Sequence, residues 1–217
     1  MKLTSVVPAA ALLAALAPSV PSLAGERLAS PAKAPAPPLE RAMGFVREVC
    51  LAPGLTVEDM IRAGVSRGYR FEDAAPPKVE GMEIRRLAGA SLESESGAKF
   101  SVTFVDAVLP TGRGKVSWRQ CNVSFSPGDE AAAAKRVETE FGPSAERPRL
   151  GGHGWAFRQK GTRRSPADVA MSEIPNQAAA LVAGSPDKGP LVSVSTNSGH
   201  DGVDLFVVVF APLEGQP

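Results

Sequence analysis

VSWRQCNVSFSPGDEAAAAKRVETEFG, residues 116–142, joins a cysteine-bearing strand to an amphipathic helix. Cys121, Val123 and Phe125 alternate with Asn122 and Ser124, and a period of two places them on one face, assigned to the core. Val116 and Trp118 have the opposite parity. Either both faces of this strand are covered, or a bulge near Arg119-Gln120 re-aims the chain. Ser126 then reads as a helix N-cap. Pro127 suits the first helical position, and the carboxylate of Asp129, three residues after the cap, can reach back to the cap N–H. Ala133, Ala134, Val137 and Phe141 form the apolar stripe of a helix that Gly142 and Pro143 stop.

Immediately upstream, Phe100, Val102 and Phe104 alternate with Ser101 and Thr103. Thr111-Gly112-Arg113-Gly114 turns the chain into the 116–125 strand, so the pair is predicted to be a hairpin. Met82–Ala90 is a further strand, and SLESESG at 91–97 a polar connection in which Glu93 and Glu95 serve solvation. Farther back, Leu39–Leu51 is helical: Leu39, Ala42, Met43, Val46, Val49 and Cys50 make one apolar face, with Glu40, Arg41, Arg47 and Glu48 mostly elsewhere. Pro53 and Gly54 end it. Thr56 caps the next helix, Asp59 completes a capping box, and Leu55 can staple onto Met60. Val57, Met60, Ile61 and Val65 supply its apolar side before Gly68 stops it, and Tyr69 and Phe71 begin an extended segment.

Downstream, Gly151-Gly152-His153-Gly154 leads into a Trp155-Ala156-Phe157 strand and a basic turn. Residues 165–189 leave alternatives open: Ser165-Pro166-Ala167-Asp168 can cap a short helix, and Ala178–Ala183 fits a strand or a helix. Leu191–Thr196, a turn at Asn197–Gly202 and the very apolar Val203–Phe210 close the chain, the last as a central strand covered on both faces. The fold class is α+β: a mainly antiparallel sheet with about three helices packed on it, in a single domain spanning 39–212 and followed by a tail at 213–217. No sequence repeat turns the rough symmetry of this order into a duplication.

The N-terminal part reads as an address and a tether. Lys2 is a positive n-region, the apolar run around Ala9–Ala17 is too short to span a bilayer, and Ser22-Leu23-Ala24 offers small residues at the positions a signal peptidase inspects. Residues 1–24 are therefore expected to be a signal peptide cleaved after Ala24, since Pro8, Pro18 and Pro21 break up an ordinary helix. Residues 25–38, GERLASPAKAPAPP, form a Pro/Ala-rich linker with nothing to bury; docking on a partner as a Pro-rich ligand is the other use of such a segment. No other apolar run is long enough for a membrane span. Twenty-four basic residues against twenty-three acidic give a formal charge of +1, without the basic excess of a nucleic-acid footprint.

The two cysteines, Cys50 and Cys121, both lie on the apolar parity of their elements, and an exported chain favours a disulfide between them. Nothing in their spacing matches the Cys-x-x-Cys of a redox pair. His153 and His200, with Asp201 and Asp204 near the second, match no ligand spacing, so no metal and no cofactor is expected. Ser198 and His200 are neighbours, but there is no Gly-x-Ser-x-Gly elbow, and no catalytic residue is assigned. The glycines at 112–114 and 151–154 match no phosphate-binding loop. The one candidate binding surface is Trp155 with Arg158, Lys160, Arg163 and Arg164. Arginines beside an aromatic recognise carboxylates and phosphates, although a solvated basic turn around a core Trp155 accounts for the same residues.

The leader, the Pro/Ala spacer, the helix ending in FVREVC, the AGVSRGY helix end and the RQCNVSF strand resemble uncharacterised small exported proteins of Gram-negative bacteria, over residues 39–125. The resemblance implies a periplasmic location and a paired-cysteine α+β domain; no activity, ligand or catalytic residue comes with it. The functional expectation is an exported, periplasmic, non-catalytic binding or envelope-associated protein. Its partner would be an anionic envelope component or a periplasmic protein, with no nucleic acid involved. The alternative is a periplasmic enzyme, such as a hydrolase, whose site is assembled from residues far apart in sequence. A deep pocket with convergent polar groups near His153 or His200 would favour the enzyme.

Overall fold

Cys121, Val123 and Phe125 face one hydrophobic core, and Val116 and Trp118 face another on the far side of the same strand. The computed structural model describes residues 37–52, 56–93, 97–111, 114–143, 145–146, 153–167, 174–199 and 202–213. The expected leader, the linker as far as Ala36, the Leu55 staple, Glu95, Asp168, His200, Asp201 and the tail beyond Leu213 lie outside the described residues. The helices are α1 (Pro38–Phe45, continuing as a π-helical turn over Val46–Cys50), α2 (Val57–Val65), α3 (Glu130–Phe141) and α4 (Ile174–Gly184). The strands are β1 (Glu72–Asp73), β2 (Glu83–Glu93), β3 (Lys99–Thr111), β4 (Gly114–Ser126), β5 (Ala145–Glu146), β6 (His153–Lys160), β7 (Arg163–Pro166), β8 (Leu191–Ser198) and β9 (Val203–Pro212).

All nine described strands join one sheet in the order β1-β2-β3-β4-β9-β8-β6-β5, with β7 pairing β6, and every pairing is antiparallel. Two meanders, β2-β3-β4 and β6-β8-β9, meet through the β4–β9 ladder. The α+β expectation of a mainly antiparallel sheet therefore holds, but sheet dominates, and the described residues contain four α-helices where about three were expected. The helices do not share a face. Residues of α1, α2 and α3 pack with Cys121, Val123, Phe125, Leu205 and Val207, whereas Ala178 and Val182 of α4 pack with Trp118, Leu191 and Phe210 on the other side. The register of β4 runs unbroken against both β3 and β9, so its change of parity is two-sided burial and not a bulge.

Several local expectations are corrected. Helix α3 is capped by Asp129, not Ser126: Asp129 has extended backbone and its Oδ1 accepts from the Ala132 N–H at 2.7 Å. Strand β4 runs through Ser126, the Ser126–Pro127 bond is cis, and Gly128 lies against Phe125 and Val203 where a Cβ would press on both. The chain thus spends residues 126–128 crossing from sheet to helix layer. Val65 is not on the buried side of α2; it is 54% exposed, and Gly64 takes the inward position because the Phe71 ring occupies the space of a Cβ. Residues 91–93 belong to β2, with Glu93 opposite Lys99, and Arg163–Pro166 is strand β7 where a helix cap was one reading. The capping box of α2 is present in both directions, Thr56 N donating to Asp59 Oδ2 at 3.1 Å and Asp59 N to Thr56 Oγ1 at 3.2 Å.

Candidate functional site

One row of side chains on the face beneath α1–α3 crosses the sheet as Asp106 (β3), Arg119 (β4), Val209 (β9), Val192 (β8) and Phe157 (β6), each opposite the next by register. At this level the helix layer stops. Helix α1 has ended at Cys50, Leu51 and Ala52, and α2 contributes Met60, leaving a cleft of about 240 Å³. Its floor is Arg119, Val192 and Val209; its other walls are Gln159, Lys160, Gly161 and Pro190.

The disulfide builds one wall. Cys50 and Cys121 are bonded with their Cα atoms 5.7 Å apart, tying the end of α1 to β4. Cys121 is two residues from Arg119 on the same face, so the bond that anchors the wall also lies beside the cation on the floor. The opposite wall is held by Gln159: its backbone N–H donates to the Pro190 carbonyl at 3.0 Å, and Nε2 donates to the carbonyls of Leu51 at 3.0 Å and Gly161 at 3.2 Å. One amide side chain thereby joins the α1 end to the β6–β7 turn. Its Oε1 is sheltered without a donor, an arrangement that costs about 1–3 kcal/mol in a folded protein.

Charge in the row is balanced across strands. Burial pulls the Arg119 guanidinium below its ordinary value, and the Asp106 carboxylate opposite acts against that pull. Burial raises the Asp106 carboxyl, Glu58 adds to the rise, and Arg85 and Arg119 oppose it. Beyond Asp106 the row continues to Arg86, whose guanidinium bonds both Asp73 oxygens at 3.0 and 3.2 Å and Glu58 at 3.0 Å. A cation half-sheltered in a cleft, with apolar walls and an exposed Lys160 at the rim, can hold an anionic group and cover an apolar one.

The residues of the basic segment do not come together on one surface. Trp155 is a core residue, 3% exposed, and its Nε1 donates to the Gly142 carbonyl at 2.8 Å, satisfying the end of α3. Arg158 is buried on the far face, donating to the Gly189 carbonyl at 3.0 Å. Arg164 stacks its guanidinium over Phe141 and Phe157, 4.7 and 5.3 Å from the ring centres. Arg163 is exposed on β7, and Lys160 borders the cleft where β6 ends. His153 is exposed at the opposite end of β6 from the cleft, across from Thr196. Ser198 donates to Glu130, and Asp204 accepts from Ser124.

Arg119, Asp106 and Gln159 escaped the sequence reading. The available signal was parity: Arg119 shares the face of Cys121, Val123 and Phe125, and a charged residue in the apolar register of a central strand is unusual enough to mark a site. Among the described residues no group of three or more His, Cys, Asp or Glu side chains could hold a metal, and no helix is long and apolar enough to cross a membrane. No family model matches the chain, and no curated protein or solved structure matches it.

Proposed function

We propose that the protein is exported to the periplasm and acts there as a non-catalytic binding protein, holding an amphipathic anion in the cleft between the end of α1 and the β6–β7 turn. The observation that carries this reading is the make-up of the cleft: Arg119 on its floor and Lys160 at its rim, among Leu51, Met60, Pro190, Val192 and Val209. A half-buried guanidinium attracts carboxylate, sulfonate or phosphate oxygens, and the aliphatic walls favour an apolar group attached to them. The disulfide at the wall suits an oxidising compartment.

Calorimetric titration of the purified, oxidised protein with 8-anilinonaphthalene-1-sulfonate, an amphipathic anion, tests the cleft. The expected result is one site per chain, weakened by Arg119→Met and by Lys160→Glu. No binding, or binding that neither substitution changes, would remove the cleft from consideration. N-terminal sequencing of the protein from its host tests the compartment: a start at Gly25 is expected, and an intact Met1 would overturn export.

A further inference from the structure

Strand β6 runs past the end of its neighbour. Strand β8 begins at Leu191, opposite Arg158, and one residue further on the Gln159 N–H still reaches the Pro190 carbonyl at 3.0 Å. Beyond Gln159 the turn is paired within the hairpin, Lys160 opposite Arg163, and it overhangs the sheet. Every residue from Lys160 to Pro166 is exposed, so little buried surface holds this tip in place. Gly161, at a φ of +60°, lets the chain reverse there. The base of the hairpin is fastened instead: Arg164, opposite Gln159, stacks its guanidinium 4.7 Å from the centre of the Phe141 ring. A fixed base and an overhanging tip place the bend of the hairpin at Gln159 and Arg164.

Lys160 and Gly161 of this tip wall the cleft on one side, and Leu51, at the end of α1, walls it on the other. The Gln159 amide spans the two, its Nε2 donating to the Leu51 carbonyl at 3.0 Å and the Gly161 carbonyl at 3.2 Å. Both bonds are between neutral groups and exchange readily for bonds to water, whereas Oε1 is sheltered without a donor, at a cost of the same order as the two bonds gain. Water entering an opened tip would satisfy Oε1 and both carbonyls, so the polar terms leave the fastened and released arrangements close in free energy. Resting on the reading of the cleft as a binding site, we propose that the Lys160–Arg163 tip is the lid of the cleft and the Gln159 amide its latch. Released, the tip swings away from Leu51 and opens the mouth toward Met60, Val192 and Val209; fastened over an occupant, it slows departure. Leu51 follows Cys50, so one end of the latch is fixed by the bond to Cys121 and the movement falls to the hairpin.

Limited trypsin digestion of the oxidised protein reads the lid, because the tip carries cleavage sites after Lys160 and Arg163, and the sulfonate dye reads the cleft. Cleavage at these two bonds, followed by mass spectrometry, tracks the population of the released tip. Gln159→Glu keeps the size of the side chain and has no N–H to donate at neutral pH. Tip cleavage in this variant should speed up by at least about threefold, as should dye entry and release in stopped-flow mixing. Saturating dye should slow tip cleavage in the wild type and much less in the variant, a reciprocal coupling that a lid requires and a merely structural hydrogen bond does not produce. The wild-type comparison with and without dye stands by itself if circular dichroism shows the variant unfolded. Dye that binds without protecting the wild-type tip, or a folded variant with unchanged cleavage and dye rates, would overturn the latch and leave the cleft a binding site. Failure of the dye to bind the wild type would overturn the cleft and its lid together.

Discussion

Arg119 stands directly opposite Asp106 across the β3–β4 ladder, on the same face of the sheet as the Cys50–Cys121 bond. Each shapes the other's charge, and on the proposed reading the pair sets how strongly the cleft attracts an anion. Asp106→Asn removes the competing carboxylate, and the affinity for the sulfonate dye should rise by roughly threefold to tenfold at neutral pH. Burial holds the Asp106 carboxyl above the ordinary aspartate range, so in the wild type protonation begins while a sulfonate is still fully ionised. Dye affinity should therefore climb as pH falls through that raised pKa, and the climb should be missing in Asp106→Asn. Titrations at stepped pH check this; a climb of the same size in both proteins would assign it to another group.

Acid should loosen α2 by the opposite linkage. The Arg67 hydrogen bond lowers the Glu48 carboxyl, the helix N-terminal backbone and Arg86 lower Glu58, and the Thr56 backbone and hydroxyl lower Asp59. A group whose folded pKa is depressed adds stability above its unfolded pKa and loses that contribution as pH falls through the folded one. Below the ordinary carboxylate range of about 4–4.5 these contributions should disappear together. Asp106, whose folded pKa is raised, runs the other way, favouring the folded state at low pH and losing that contribution as pH rises. Denaturant melts at stepped pH should show stability falling on acidification, and less steeply in Arg86→Met, which lacks the bonds to Glu58 and Asp73. An identical slope in the variant would place the acid sensitivity elsewhere.

Two glycines should respond oppositely to alanine. A Cβ at Gly202 would meet the backbone carbonyl of Phe125 well inside van der Waals contact, and neither partner is a flexible side-chain end. Gly202→Ala is expected to cost about 1–3 kcal/mol, the scale of forced overpacking. Gly44 lies within α1 with nothing near its missing Cβ, so Gly44→Ala should stabilise by about 0.5–1 kcal/mol through helix propensity. Thermal denaturation distinguishes them, and shifts of the same sign would contradict the packing described here.

The legible parts of this fold were those whose signal is local. Alternation at Phe100–Phe104 and Cys121–Phe125, the Thr56–Asp59 capping box and the cysteine parity each follow from neighbours in sequence. Ser126 misled because Ser-Pro-Gly-Asp fits a cap at either end, and only the need to cross from β4 to the helix layer selects Asp129. Helix α4 was ambiguous because Ala178–Ala183 is a short apolar run; Pro175 in its first turn was the overlooked start signal. The cleft was hidden for a different reason. Asp106, Arg119, Gln159 and Lys160 come from three strands, and the register that aligns them is set by long-range pairing that no local pattern encodes.

The disulfide ties these levels together. Met43, Val46, Val49 and Cys50 are buried against the sheet, and a helix as short as α1 has little stability of its own, so its place depends on that packing and on the bond to Cys121. The bond closes a loop with a sequence separation of 71, for which the chain-entropy model gives about 4 kcal/mol. Replacing both cysteines by alanine should lower the melting temperature by on the order of 10 °C. Reduction of the wild type separates the contributions: it removes the cross-link but keeps both sulfur atoms in the core, so any extra loss in the double variant measures packing. Because Cys50 and Leu51 wall the cleft, the reduced protein should also bind the sulfonate dye more weakly at a temperature where circular dichroism shows it still folded. A freshly isolated, never-reduced sample should yield no free thiol under denaturing conditions. Two thiols per chain would show that the native protein lives without the bond, and the stability and binding effects expected of it would go as well.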